Sequence, residues 1–320
     1  MKLPLYLTLF SLIAGFPEVS SQTFCTQNNT SRYAGEQDGY RYELWNENAQ
    51  GTACMTLGDG ALFSGEWNGV LNYLARRGLS YNQTQEHQDV GNFFSTYVCD
   101  YNPSGTAGNS YLSIYGWTVD PLIEFYIVED WRNWIPSMDG GASSKGTITV
   151  NGSTYDIIEN TRVNQPSIVG NTTFQQYFSI RRDTRTSGEI NISDHFEKWE
   201  SLGLDLGKLY EVSFVVEGYQ SSGSFQFLAL DIHVENGSDI NHNELSERFN
   251  IFPNPAKDHI TVKCFEQATV EIYNIFGQLM IQKPISDIEN EIAIDHLSPG
   301  NYILKLIFKD TVKSSIIIVE

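Results

Sequence analysis

The chain is short of positive charge. Lys and Arg number 20 against 39 Asp and Glu, giving a formal net charge of −19. No basic patch or basic run breaks this pattern, which excludes a nucleic-acid partner, since a polyphosphate is held by clustered Lys and Arg. Charge of either sign is also sparse, at 18% of residues, low for a cytosolic chain and ordinary for a secreted β protein. After residue 21 no apolar run is long enough to cross a bilayer, so no membrane span is expected. Ligand spacing for a metal is absent: His87 has Glu86 and Asp89 beside it but no second His or Cys within reach, and it reads as part of a solvated loop over 80–90. Gly140 and Gly141 precede no helical pattern and therefore form a turn, not a phosphate cradle. No Ser-His-Asp set has supporting context, and neither metal nor cofactor is expected.

What the chain does have is aromatic and β-branched residues: 13% aromatic, 41% hydrophobic. Residues 1–21 read as a signal peptide, with Lys2, an apolar stretch over 3–15 and small residues Ser20 and Ser21 at the exit. A polar lead-in covers 22–38. From 39 to 236, short alternating segments such as 40–45, 52–57, 61–67 and 71–79 recur between Gly, Asn and Asp turns, which predicts a sandwich, barrel or jelly roll. One helix interrupts them near 195–202, with Asp194 and Glu197 as an expected capping box, Gly203 as its stop, and Phe196, Trp199 and Leu202 as its apolar stripe. A polar linker over 237–248 precedes a second β module, 249–320. Most of the acidity lies before residue 245, where it favours solubility and a monomer. Four cysteines, Cys25, Cys54, Cys99 and Cys264, allow three full pairings.

The segment 111–131 reads as two strands parted at Pro121. Strand alternation puts Glu124, Tyr126 and Val128 on one face and Phe125, Ile127 and Glu129 on the other. Tyr115 and Trp117 likewise share a face. A second Glu–Tyr pair two residues apart, Glu217 and Tyr219, follows the apolar strand 212–216. Aromatic faces with a few polar tips grip sugar rings, and two carboxylates in such surroundings are the parts of a two-carboxylate glycosidase.

Tyr-Gly-Trp at 115–117, Pro-Leu-Ile-Glu-Phe-Tyr-Ile-Val-Glu at 121–129 and Glu-Gly-Tyr-Gln-Ser-Ser-Gly at 217–223 closely resemble the signatures of the endo-β-1,4-xylanases of glycoside hydrolase family 11, in the family's order. The resemblance implies an all-β fold, a β-jelly roll of two curved antiparallel sheets with one helix, joined here to a small C-terminal sandwich-like module. It implies a retaining double displacement on xylan and xylo-oligosaccharides, with Glu124 as nucleophile and Glu217 as acid/base. It further implies substrate contacts from Trp45, Tyr111, Tyr115, Trp117, Tyr126, Arg162, Pro166, Gln176 and Tyr219, with Pro166 on a thumb hairpin around 164–170. Asn72 falls where the family residue hydrogen-bonds the acid/base, and Asn there goes with a near-neutral optimum. Val169, Phe178 and Leu79 depart from residues common in the family. Family topology also makes Cys54–Cys99 the preferred disulfide, although Cys25–Cys54 is reachable. Glu129 is expected to face away from the cleft into solvent, and Asp130 and Asp139 to be loop acids. Phe-Pro-Asn-Pro at 252–255, Tyr-Asn-Ile-Phe-Gly at 273–277 and Leu-Ser-Pro-Gly-Asn-Tyr at 297–302 resemble the C-terminal sorting domains of the type IX secretion system of Bacteroidetes, which implies that machinery as a partner and an extracellular or cell-surface destination. The competing readings are a jelly-roll hydrolase of β-glucan and a carbohydrate-binding module without catalysis.

Overall fold

A computed structural model describes residues 22–26, 30–105, 108–139, 141–235, 249–264, 267–275, 277–308 and 312–320. The expected signal peptide and linker lie outside the described residues. The first body is built from β1 (Gln22–Thr26), β2 (Arg32–Gln37), β3 (Tyr40–Asn46), β4 (Thr52–Leu57), β5 (Phe63–Asn68), β6 (Asn72–Ser80), β7 (Asn92–Ser104) and β8 (Asn109–Val119). It continues through β9 (Ile123–Arg132), β10 (Ser143–Val150), β11 (Ser153–Gln165), β12 (Thr172–Arg181), β13 (Ser187–Asn191), β14 (Lys208–Tyr219) and β15 (Ser222–Glu235). They form two sheets, a nine-stranded one in the order β10-β11-β12-β9-β8-β14-β6-β3-β2 and a six-stranded one in the order β1-β4-β5-β15-β7-β13. All neighbours are antiparallel except β9 and β12, which run parallel. The long connection 133–171 makes that possible, because a hairpin cannot join parallel strands.

Alternation decides what each sheet face does. Phe125 and Ile127 point into the core between the sheets, while Glu124, Tyr126 and Val128 turn to the other face of the nine-stranded sheet. Beneath β9 lies α2 (Ile192–Ser201), whose Phe196 and Trp199 rings approach Phe125 at 5.1 and 6.0 Å. Fully burying each such ring contributes roughly 1.5–3 kcal/mol. The helix begins earlier than Asp194 because Ile192, Phe196 and Trp199 make one i, i+4, i+7 stripe; Asn191 caps it, its side chain accepting from the Asp194 N–H at 3.3 Å. Gly203, at φ 77°, ends it as expected.

A second, short helix, α1 (His87–Val90), stands where a solvated loop was expected, and Glu86 with Asp89 forms its capping box. His87 is buried there. Its ring meets Phe196 at 5.1 Å and its Nε2 lies 3.1 Å from Glu200, so the polar-looking segment docks on α2.

The disulfide is Cys25–Cys54, not Cys54–Cys99. β5 and β15 stand between β4 and β7, so Cys54 and Cys99 are not on neighbouring strands, whereas Cys25 and Cys54 are register partners across β1 and β4. Cys99 and Cys264 are free of disulfides and buried.

The second body comprises β16 (Phe249–Phe252), β17 (His259–Cys264), β18 (Ala268–Asn274), β19 (Leu279–Ile285), β20 (Glu289–Ala293), β21 (Gly300–Ile307) and β22 (Val312–Val319). They make a three-stranded sheet, β16-β17-β20, and a four-stranded one, β19-β18-β21-β22. Ile260, Val262, Ile272, Leu304 and Leu306 close a core of its own, which is what makes it a separate domain.

Candidate active site

Strand register assembles the site. Tyr115 pairs with Tyr126 and Trp117 with Glu124 across β8 and β9, and Gln176 of β12 pairs with Glu124 on the other side. On β14, Glu217 is opposite Tyr111 of β8 and Leu74 of β6, and Leu74 is opposite Trp45 of β3. Every one of these residues therefore projects from the same face of the nine-stranded sheet. Glycines allow the backbones beneath to approach. A Cβ on Gly116 would stand 2.3 Å from the Phe125 ring, and one on Gly218 would stand 2.5 Å from Trp67 Nε1.

Glu124 is buried and held from three sides. Oε2 accepts from Gln176 Nε2 at 2.5 Å, and Oε1 accepts from the hydroxyls of Tyr115 at 2.8 Å and Tyr126 at 3.2 Å. Burial raises its carboxyl above the ordinary range, and the bonds from Gln176 and Tyr115, the charge of Arg162 and the bond from Tyr126 all work against that rise. Glu217 keeps part of its side chain open to the cleft, yet its carboxyl is desolvated. Burial first, and repulsion from Glu124 second, push it up to about 8, against the lowering influence of the Tyr126 hydroxyl and the charges of Arg162 and Arg76. The two carboxyls are thus arranged so that one proton is kept on Glu217 while Glu124 carries the donors that favour an anion.

Around them stand the other predicted residues. Tyr111 and Tyr126 meet edge to face at 6.3 Å, and Trp45 is half-exposed at the margin of the cluster. Trp117 Nε1 donates to the Tyr115 hydroxyl at 2.5 Å. Arg162 and Pro166 are exposed on the β11–β12 hairpin, whose tip is fastened by Gly170 N–H donating to Ser167 O at 3.2 Å. Tyr219 is exposed at the end of β14, its hydroxyl accepting from Gln220. Asn72 sits diagonally from Glu217 on the same face, but no hydrogen bond joins them, and its Oδ1 is buried without a partner.

Glu129 faces away from Glu124, but not into solvent. The reverse face of β9 is the inter-sheet core, where Glu129 is fully buried and accepts from Tyr97 at 2.9 Å, Tyr155 at 2.5 Å and Arg185. Asp130 belongs to β9 instead of a loop, and burial raises its carboxyl; Asp139 closes the 3-10 turn Pro136–Asp139.

Sequence reasoning missed several neighbours. Asn160 Nδ2 holds the Oε1 of Gln176 at 2.8 Å, which leaves the Gln176 amide free to donate to Glu124. Phe178 stacks on Tyr126 at 4.8 Å and 9°, so this departure from the family keeps a ring platform. Glu43, Arg76 and Glu211 form a buried ion array on the cleft face. Counting back by twos from Glu217 reaches Glu211, and that alternation was the available signal.

Residues 37–228 match the sequence model of "Glycosyl hydrolases family 11", and residues 250–320 that of "Secretion system C-terminal sorting domain". An endo-1,4-beta-xylanase A of Thermoclostridium stercorarium is 43% identical over 83% of this chain and 38% of its own length. One from Bacillus pumilus is 46% identical over 65% of this chain and 87% of its own. The solved family 11 xylanase of Neocallimastix patriciarum is 38% identical, superposes with a TM-score of 0.62, and is covered over its whole length by 67% of this chain. Against the Thermoclostridium relative the chain spans well under half the length.

Proposed function

Because the chain belongs to glycosyl hydrolases family 11, we propose that its first body is a retaining endo-β-1,4-xylanase that cuts internal bonds of xylan, with the C-terminal domain directing export to the cell surface or medium. The observation that carries the reading is the unequal pair Glu124 and Glu217, one ringed by donors, the other held protonated to about 8.

The steps follow from those environments. Xylan lies along the aromatic face from Trp45 toward Tyr111, its C–H faces on rings and its hydroxyls on Arg162, Gln176 and the tyrosines. A Glu124 oxygen forms a bond to the anomeric carbon as the glycosidic C–O bond breaks, and the Glu217 proton goes to the leaving oxygen. Esterified, Glu124 no longer repels a charge on Glu217, whose pKa then falls. Glu217 next takes a proton from water, the water oxygen bonds to the anomeric carbon, and the ester opens. Pro166 and its hairpin cover the chain during these events. Crowding of a C5 hydroxymethyl group disfavours glucose.

The test is reducing-sugar release by the full chain on xylan and on carboxymethylcellulose, alongside Glu217→Gln. Release from xylan that the variant loses is expected. Binding of xylan without release by the unmodified chain would replace the enzyme with a binding module, and release from carboxymethylcellulose alone would point to a β-glucanase.

A further inference from the structure

Arg76 stands on the cleft face of β6, opposite Glu43 of β3 and Val215 of β14. One guanidinium nitrogen donates to Glu43 Oε2 at 2.8 Å, a second lies 2.9 Å from Glu211 Oε1, and the guanidinium carbon lies over the Tyr115 ring at 5.1 Å. The charged groups around it are Glu43 and Arg41 of β3, Arg32 of β2 and Glu211 and Glu217 of β14, with the phenol of Tyr115 from β8. Arg76 and Glu43 are buried and Glu211 has no exposure at all.

Stability alone does not account for this array. Burying three charged groups carries a desolvation penalty that a well-packed apolar trio avoids. Location does account for it. The ring under the guanidinium belongs to Tyr115, whose hydroxyl donates to Glu124 at 2.8 Å and accepts from Trp117. A planar fork can bridge two carboxylates and cover a ring face at once, which an ammonium cannot do. We propose that Arg76, clamped by Glu43 and Glu211, is a positioning residue that holds the Tyr115 ring so that its hydroxyl stays aimed at Glu124 while that carboxylate attacks.

The inference rests on the reading of Glu124 as nucleophile, and its test separates the two. Full-length wild type, Arg76→Lys, and a neutral triple variant (Arg76→Met, Glu43→Gln, Glu211→Gln) are compared by kcat and KM on an aryl β-xylobioside. The rate at which a 2-deoxy-2-fluoro-xylobioside esterifies the enzyme is measured in parallel, with the thermal midpoint. Both variants are expected to lose about tenfold in kcat and in esterification rate, with KM within about twofold. A triple variant that is folded and reacts at the wild-type rate overturns the proposal. So does an Arg76→Lys enzyme with full kcat, which decides the matter even where the triple variant does not fold. A wild type that neither turns over nor becomes esterified would instead sink the reading of Glu124.

Discussion

The Tyr126 hydroxyl donates to Glu124 Oε1 at 3.2 Å, and the same phenol favours the charged form of Glu217, so it couples both carboxyls. Its hydroxyl lowers the pKa of each. Tyr126→Phe removes the bond while keeping the ring that stacks on Phe178. Both limbs of the pH profile of kcat/KM are expected to move to higher pH, with kcat down on the order of 10–100-fold, the value of a hydrogen bond to a charged group. A loss of activity with both limbs unmoved would separate Tyr126 from the proton balance.

Repulsion from Glu124 is the second cause of the raised Glu217 pKa. Glu124→Gln removes it along with the proposed nucleophile. Hydrolysis should disappear, and Glu217 should titrate below about 8 when followed by carboxyl NMR. An unchanged titration would mean that burial alone sets the value.

Folding and catalysis are linked through the same proton. The folded-state pKa of Glu217 is about 8 against 4.5 for an ordinary glutamate, so between those values the native state holds a proton that the unfolded chain releases. Stability from this group is complete below about 4.5 and is lost as pH rises through about 8. Glu217→Gln cannot lose a proton, and its thermal midpoint should overtake that of the wild type as pH rises across this window. Parallel curves for the two proteins would contradict the shift.

The residues that the sequence made legible are those whose meaning depends on period alone. Alternation placed Glu124 with Tyr126 on one face and Tyr115 with Trp117 on another strand's face, register joined the two pairs, and the 3.6-residue stripe of Phe196 and Trp199 announced the helix. What stayed hidden depends on which strands are neighbours. Cys54 meets Cys25 only because β1 lies beside β4, and Glu129 is buried only because the reverse of β9 is covered by the second sheet. His87 looked solvated until α2 was packed against it. Local polarity does not reveal a partner that arrives from a hundred residues away.

The Cys25–Cys54 bond ties the edge strand β1 to its neighbour β4 and closes a loop with a sequence separation of 29. Cys25→Ser should lower stability by about 3–4 kcal/mol on the loop-entropy estimate, with kcat unchanged because neither residue is on the cleft face. Denaturant midpoints of the two proteins check this. Equal midpoints would show that the unfolded state gains nothing when the link is cut.

Glu129 offers the sharpest separation between holding the site and performing chemistry. It stands on β9, the strand of Glu124, with no exposure, and its carboxylate is bonded by Tyr97, Tyr155 and Arg185, with Arg181 3.9 Å away. Removing one side of a buried ion cluster leaves cations uncompensated, at about 3–5 kcal/mol. Glu129→Ala should therefore unfold at a markedly lower denaturant concentration. Glu129→Gln should fall between the two, since it retains an acceptor for the phenols while losing the charge that faces Arg185. The lesion lies on the core side of β9, and the donors to Glu124 come from β8, β9 and β12 on the other side. At a temperature where both variants remain folded, their pH profiles should thus match the wild type. A shifted profile in folded Glu129→Gln would mean that the core-side charge reaches the carboxylate pair through the strand, and that the two faces of β9 are not electrostatically independent.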